Sequence, residues 1–218
     1  MIDLSLYVIL GPIAGQMSLA EMAVLAARGG ASFFQLRDKD ADAQTLIAAT
    51  AEIRRALASF KRPLVLNDDA ALAARAGADG VHVGQSDDAP AKARDILGPE
   101  KIIGLSIRTM DEAENAPLDL LDYAAIGGVF ETSSKRLDNP PIGVSGLAAI
   151  AALLRRRRPG LPLVAISGMN AARAPEVIRA GADGVAVISA VTEAADITAA
   201  ANKIAGAVAG AKAGGAGS

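Results

Sequence analysis

A ten-residue phrase occurs twice in this chain, as RAGADGVHVG at Arg75–Gly84 and as RAGADGVAVI at Arg179–Ile188. Each copy reads as a helix end, a Gly at its C-terminal turn, an Asp-Gly turn and then a buried strand. GGASFFQLR, at Gly29–Arg37, is a looser third copy. Reuse of one helix-turn-strand unit favours a fold in which equivalent units stand side by side, and disfavours a series of unrelated elements.

Around these copies, short apolar runs alternate with Ala-rich amphipathic stretches. The apolar runs predict strands at Leu6–Leu10, Phe33–Leu36, Leu64–Asn67, Gly80–Val83, Ile102–Ser106, Tyr123–Ile126, Leu163–Ser167 and Gly184–Ile188. The intervening stretches predict helices at Leu19–Arg28, Ala43–Ala58, Ala70–Ala76, Ala89–Leu97, Met110–Ala116, Gly146–Arg156, Ala172–Ala180 and Val191–Val208. Eight strands, each followed by a helix, make an α/β (β/α)8 TIM barrel, with the repeated phrase on strands two, four and eight. A doubly wound open sheet is the alternative, but its glycine fingerprint is missing after the first strand.

A length of 218 residues accommodates this barrel as a single domain, expected over 1–208, with a flexible Gly/Ala-rich tail at 209–218. The formal net charge of -2 gives nucleic-acid binding no support. The basic block Arg155–Arg158 reads as a helix C-terminus, where cations suit the helix dipole, since no aromatic residue interleaves it. The absence of cysteine excludes disulfides, thiolate metal sites and cysteine nucleophiles. No apolar run reaches transmembrane length and the N-terminus lacks a basic signal region, so a cytoplasmic, soluble protein is expected. The apolar outer helices permit a homo-oligomer without locating an interface.

In such a barrel the working face is the C-terminal end of the strands. Polar residues gather there: Gln35, Arg37 and Lys39 on strand two, Asn67 and Asp68 on strand three, Gln85 and Asp87 on strand four, Ser106 on strand five. Asp68 and Asp69 are open to two readings, as caps of the helix starting near Ala70 or as part of a metal site, and Asp87 and Asp88 pose the same choice before Ala89. Two carboxylates on adjacent strands beside Asn67 and Gln85 favour Mg²⁺, a hard ion that keeps waters and binds substrate phosphates. Gln35, Arg37 and Lys39 alternate along one strand face; the cations either pair with Asp38 and Asp40 or bind phosphoryl oxygens. The long loop Gly127–Gly143 offers the Thr132 and Ser134 hydroxyls and the Lys135 cation. Small residues at Gly168 and at Ile188-Ser189 suit a phosphate at the ends of strands seven and eight. His82, the sole histidine, is expected to be packed and hydrogen-bonded rather than a base or ligand.

In this order, QLRDK, LNDD, GVHVGQSD, IIGLS, TSSK, AISGMN and GVAVIS resemble the thiamine-phosphate synthase family, a group of (β/α)8 barrels, from roughly Tyr7 to Ser189. The family joins hydroxymethylpyrimidine diphosphate to thiazole phosphate and releases pyrophosphate. The resemblance implies that Asp68 and Asp87 are Mg²⁺ ligands and that Gln35, Arg37, Lys39 and Asn67 hold the pyrimidine diphosphate. Leu36 and Asp38, in the same strand-end motif, are counted with these contacts. Ser106 and Lys135 are similar to residues that touch that substrate or the leaving pyrophosphate, and with Arg37 and Lys39 they form the implied catalytic set. Thr132, Ser133 and Ser134, with Gly168, Ile188 and Ser189, resemble the thiazole-phosphate site. The chain departs from the family pattern at Glu131 and Ser134, where Pro and Thr are usual, and at Ser167, where Gly is common. The implied reaction needs no protein nucleophile. A thiazole tautomerase, a phosphosugar isomerase-type barrel and a non-catalytic phosphate-binding barrel are the rival readings.

Overall fold

Eight parallel strands pair in sequence order and close on themselves, β1 meeting β8 with Leu6 opposite Val185. This computed structural model describes residues 2–12, 17–132 and 140–215. The strands are β1 Leu6–Leu10, β2 Phe33–Leu36, β3 Leu64–Asn67, β4 Gly80–Val83, β5 Ile102–Ile107, β6 Tyr123–Ile126, β7 Leu163–Ile166 and β8 Gly184–Val187. The helices around them are α1 Leu19–Arg28, α2 Ala43–Leu57, α3 Ala70–Ala76, α4 Pro90–Leu97, α5 Met110–Asn115, α6 Gly143–Arg157, α7 Ala174–Arg179, α8 Ser189–Thr192 and α9 Ile197–Gly215. The expected barrel is therefore present, and most boundaries agree within a few residues.

The C-terminal region differs from expectation. The helix expected at Val191–Val208 is two helices, because Asp196 starts a new one: its carboxylate accepts the Ala199 N–H at 2.9 Å and its carbonyl accepts the Ala200 N–H. The expected tail is also largely helical. α9 continues to Gly215, buries Val208 and Ala211, and ties Lys212 Nζ to Ser5 Oγ at 2.7 Å. Residues 216–218 lie outside the described residues.

Strand side chains alternate between two cores. Tyr7, Ile9, Phe33, Val65, Tyr123, Ala125, Val164 and Ala186 cluster together inside the barrel. Their neighbours, such as Leu6, Val8, Leu10, Phe34, Leu64, Val81 and Val83, pack outward against the helices. Burial on both faces explains why the strands read as continuous apolar runs instead of alternating ones.

The opposite, N-terminal face is stapled by a repeated device. The residue just before each even-numbered strand accepts the first free N–H of the preceding odd strand. Ser32 Oγ takes Leu6 N–H, Asp79 takes Leu64 N–H, Asp122 takes Ile103 N–H and Asp183 takes Leu163 N–H. Each aspartate also pairs with an arginine of the preceding helix layer: Arg54 with Asp79, Arg94 with Asp122, Arg155 with Asp183. The repeated Ala-Asp-Gly turn thus places a carboxylate where the parallel ladder has left an N–H unpaired.

Candidate active site

At the C-terminal ends of the strands lies a cavity of about 400 Å³. It is lined by Gln35, Arg37, Lys39, Asn67, Asp68, Asp87, Ser106, Thr132, Gly168, Ile188 and Ser189, so one pocket gathers these expected site residues. Ile9, Ile166 and Met169 add an apolar wall. Ser133, Ser134 and Lys135 lie outside the described residues.

The two open readings of the aspartates divide between neighbours. Asp69 caps α3, accepting Leu72 N–H at 2.8 Å. Asp88 accepts Ala70 N–H and pairs with Lys92 Nζ at 2.6 Å, while α4 opens on Ala89 and Pro90 without a side-chain cap. That leaves Asp68 and Asp87 to face the pocket. Asp68 takes a left-handed backbone, φ +69°, and its N–H donates to His82 carbonyl across the strand pair at 2.8 Å. Asp87 folds back so that its Oδ2 accepts the Gly84 N–H at 2.7 Å. Burial, together with the adjacent Asp68 carboxylate, holds the Asp87 carboxyl above its ordinary range.

A cation already faces this pair. Lys39 Nζ sits 2.9 Å from Asp68 Oδ2. Among the described residues no group of three or more His, Cys, Asp or Glu side chains assembles. Two carboxylates pressed together, one of them destabilised as an anion, suit a hard divalent ion that takes its other ligands from water and phosphate.

Gln35 is buried and its amide donates to Asn67 Oδ1 at 3.0 Å, joining β2 to β3. Arg37 and Lys39 follow at the same strand end, where Arg37 N–H donates to Leu10 carbonyl at 2.8 Å. The side chains between them go elsewhere. Leu36 packs in the outer core, and Asp38 Oδ1 accepts the Asp40 and Ala41 N–H groups of its own turn. Neither side chain joins the pocket wall, because strand alternation turns Leu36 outward and the turn claims Asp38.

His82 is packed as expected. It is 7% exposed, with Nδ1 2.9 Å from Tyr123 Oη and Nε2 2.9 Å from Ser106 Oγ. The Ser106 carbonyl accepts from Gln85 Nε2 at 2.7 Å. At the far side Ser167 and Gly168 both adopt positive φ, +86° and +67°. Ser167 Oγ accepts Gly128 N–H, and Gly168 carbonyl accepts from Arg173 Nη1 at 2.6 Å. A Cβ on Gly168 would collide with Glu131 carbonyl, so glycine is required for the close approach of these two loops.

Sequence reasoning missed Arg108. It lines the pocket from the end of β5, lies over Gly128, and donates from Nη2 to Pro140 carbonyl at 3.2 Å. The signal was present: Arg108 stands two residues past Ser106, as Arg37 stands two past Gln35, and so shares its strand face.

The Thiamine monophosphate synthase family model matches residues 6–191. A thiamine-phosphate synthase of Agrobacterium fabrum is 46% identical over 182 residues, covering 84% of this chain and 83% of that one. One from Moorella thermoacetica is 42% identical over 200 residues, covering 91% and 93%. The solved thiamine phosphate pyrophosphorylase from Pyrococcus furiosus superposes with a TM-score of 0.83 at 32% identity, covering 96% of this chain and 98% of its own. From β1 to the helix that follows β8, and with relatives that span most of its length, this chain belongs to the thiamine monophosphate synthase family.

Proposed function

We propose that this protein is a thiamine-phosphate synthase, a transferase that joins hydroxymethylpyrimidine diphosphate to thiazole phosphate and releases pyrophosphate. The observation that carries the reading is the meeting in one pocket of the Asp68–Asp87 pair with Gln35, Asn67, Arg37 and Lys39. Two carboxylates, two cations and a buried amide pair offer complementary handles for a metal-bound diphosphate attached to a polar heterocycle.

Asp68 and Asp87 would hold Mg²⁺, which supplies charge neutralisation for a diphosphate leaving group. Arg37 and Lys39 face the same leaving oxygens, and Arg37 offers a fork where Lys39 offers a point charge. When the carbon–oxygen bond at the pyrimidine methylene breaks, its electron pair leaves with the diphosphate, and these cations stabilise the growing charge. The thiazole nitrogen lone pair then forms the new carbon–nitrogen bond. Gln35 and Asn67 are fixed on each other and present a polar edge to the pyrimidine. Thr132, Gly168, Ile188 and Ser189 stand at the opposite end of the pocket, suited to the phosphate of the thiazole partner. Ile9, Ile166 and Met169 exclude water between the two ends.

The test is to combine the purified protein with both substrates and Mg²⁺, following thiamine phosphate and pyrophosphate, with an EDTA control. Both products in equal amounts, lost on chelation, support the reading. Absence of product despite thiazole-phosphate binding overturns it in favour of a barrel that binds without joining.

A further inference from the structure

We propose that a one-way hydrogen-bond chain through the barrel interior, from Tyr7 to Tyr123 to His82 to Ser106, aims the Ser106 hydroxyl proton into the pocket at a diphosphate oxygen. This deepens the synthase reading and rests on it. Tyr123 and His82 become positioning residues, acting through Ser106.

The links are Tyr7 Oη to Tyr123 Oη at 3.0 Å, Tyr123 Oη to His82 Nδ1 at 2.9 Å and His82 Nε2 to Ser106 Oγ at 2.9 Å. The chain contains two tyrosines, and both stand in this line. Their rings are held by edge contacts with Phe33, at centroid distances of 4.7 Å for Tyr7 and 5.4 Å for Tyr123, and His82 stacks on Tyr123 at 5.5 Å. Gly104 on β5 lacks a Cβ where the Tyr123 ring passes, so the ring position is built into the neighbouring strand.

Distances do not give direction, but satisfaction of buried donors does. Burial raises the pKa of both phenols, so both keep their protons. Among the described residues, Tyr7 Oη bonds to Tyr123 Oη. A buried O–H that fails to donate costs far more than an idle lone pair. Tyr7 therefore donates to Tyr123. The Tyr123 proton then goes to His82 Nδ1, its remaining neighbour. With Nδ1 accepting, the imidazole proton is on Nε2 and is donated to Ser106 Oγ. Ser106 accepts from behind, and its own proton points into the cavity it lines. Reversing the chain would leave the Tyr7 proton without an acceptor among the described residues and would consume the Ser106 proton on His82.

Two measurements test this. His82 is the only histidine, so ¹⁵N-histidine labelling of the intact protein gives one imidazole in a long-range ¹⁵N–¹H spectrum. The Nε2-protonated tautomer is expected; an Nδ1-protonated ring overturns the proposal, whether or not the protein turns over. The second is steady-state kinetics with both substrates and Mg²⁺. Ser106→Ala should lower kcat about a hundredfold, as loss of a donor to developing charge does. Tyr123→Phe should lower kcat about tenfold, with KM for thiazole phosphate changed less than about twofold, and the double variant should be no slower than Ser106→Ala. Tyr7→Phe, an equally buried change, leaves Tyr123 free to donate to His82 and should stay within about threefold of wild type. Wild-type kcat in folded Tyr123→Phe, or losses that multiply in the double variant, overturns it. An inactive wild type would instead overturn the synthase reading while the tautomer result stood.

Discussion

At Asp68 the backbone is left-handed, φ +69°, a conformation that costs an L-residue about 1–2 kcal/mol. Its carboxylate faces Asp87 and a half-exposed lysine instead of a helix N-terminus. Next to it Asp69 has an extended backbone and caps α3. Sequence could not divide these labours, since both residues are Asp before the same helix, and the distinction resides in φ. It does predict opposite phenotypes. Asp68→Gly should relieve the backbone, raising stability by up to about 1 kcal/mol because the exposed Lys39 pair contributes little, while turnover falls at least about a hundredfold. Asp69→Ala should lose about 1 kcal/mol of stability and keep its turnover. Chemical denaturation and product formation on both variants check this; an active Asp68→Gly would remove the carboxylate from the mechanism. Arg108→Ala belongs at the same scale. Removing a charged donor from the pocket should raise KM for a phosphate-bearing substrate about tenfold or more, read by initial rates at varied substrate.

Among the helices, α1 shows how local sequence sets an element and makes it respond to pH. Ser18 and Glu21 form a reciprocal capping box, with Ser18 N–H and Oγ both 2.9 Å from Glu21 Oε2 and Glu21 N–H returned to Ser18 Oγ. The Ser18 backbone N–H holds the Glu21 carboxyl below its ordinary range. A depressed carboxylate pKa contributes stability above the unfolded value and loses it as pH falls through the folded one. Glu21→Gln should therefore melt below wild type at neutral pH, and the gap should close below about pH 4; thermal melts at several pH values measure it. A gap that persisted in acid would mean that charge has no part in the cap. Strands and helices of this kind were legible because propensity and cap residues agree with their positions. The break between α8 and α9 was not, since the Ala-rich pattern runs across Asp196 without interruption and the stop is a single cap.

Over the whole barrel, the two ends have different tasks. The C-terminal face carries the pocket and its strained Asp68 and Ser167; the N-terminal face carries the four staples that fix each odd strand to the next. Three staples fall on the repeated Gly-Ala-Ser or Gly-Ala-Asp phrase and were visible as a repeat. The fourth, at Asp122, sits in LLDYAAI without the glycine turn, so its equivalence appears only when the barrel closes. Asp122 is also the most strongly tied, because its partner Arg94 reaches the Gly98, Lys101 and Leu120 carbonyls as well. Replacing a staple aspartate by alanine leaves a part-buried strand N–H unpaired, a cost of about 1–3 kcal/mol, to which the more exposed ion pairs of Asp79 and Asp183 add little. Asp122→Ala should be the costliest of the set. Asp79→Ala and Asp183→Ala lie on strands half a barrel apart and share no partner, so their losses should add within about 0.5 kcal/mol in the double variant. All three should turn over substrate at the wild-type rate below their melting temperature, since the chemistry lies at the other end of the strands. Denaturant titrations with parallel assays decide it. A double loss well above the sum would show that the staples act as one ring, so that opening one weakens closure of the barrel at the other.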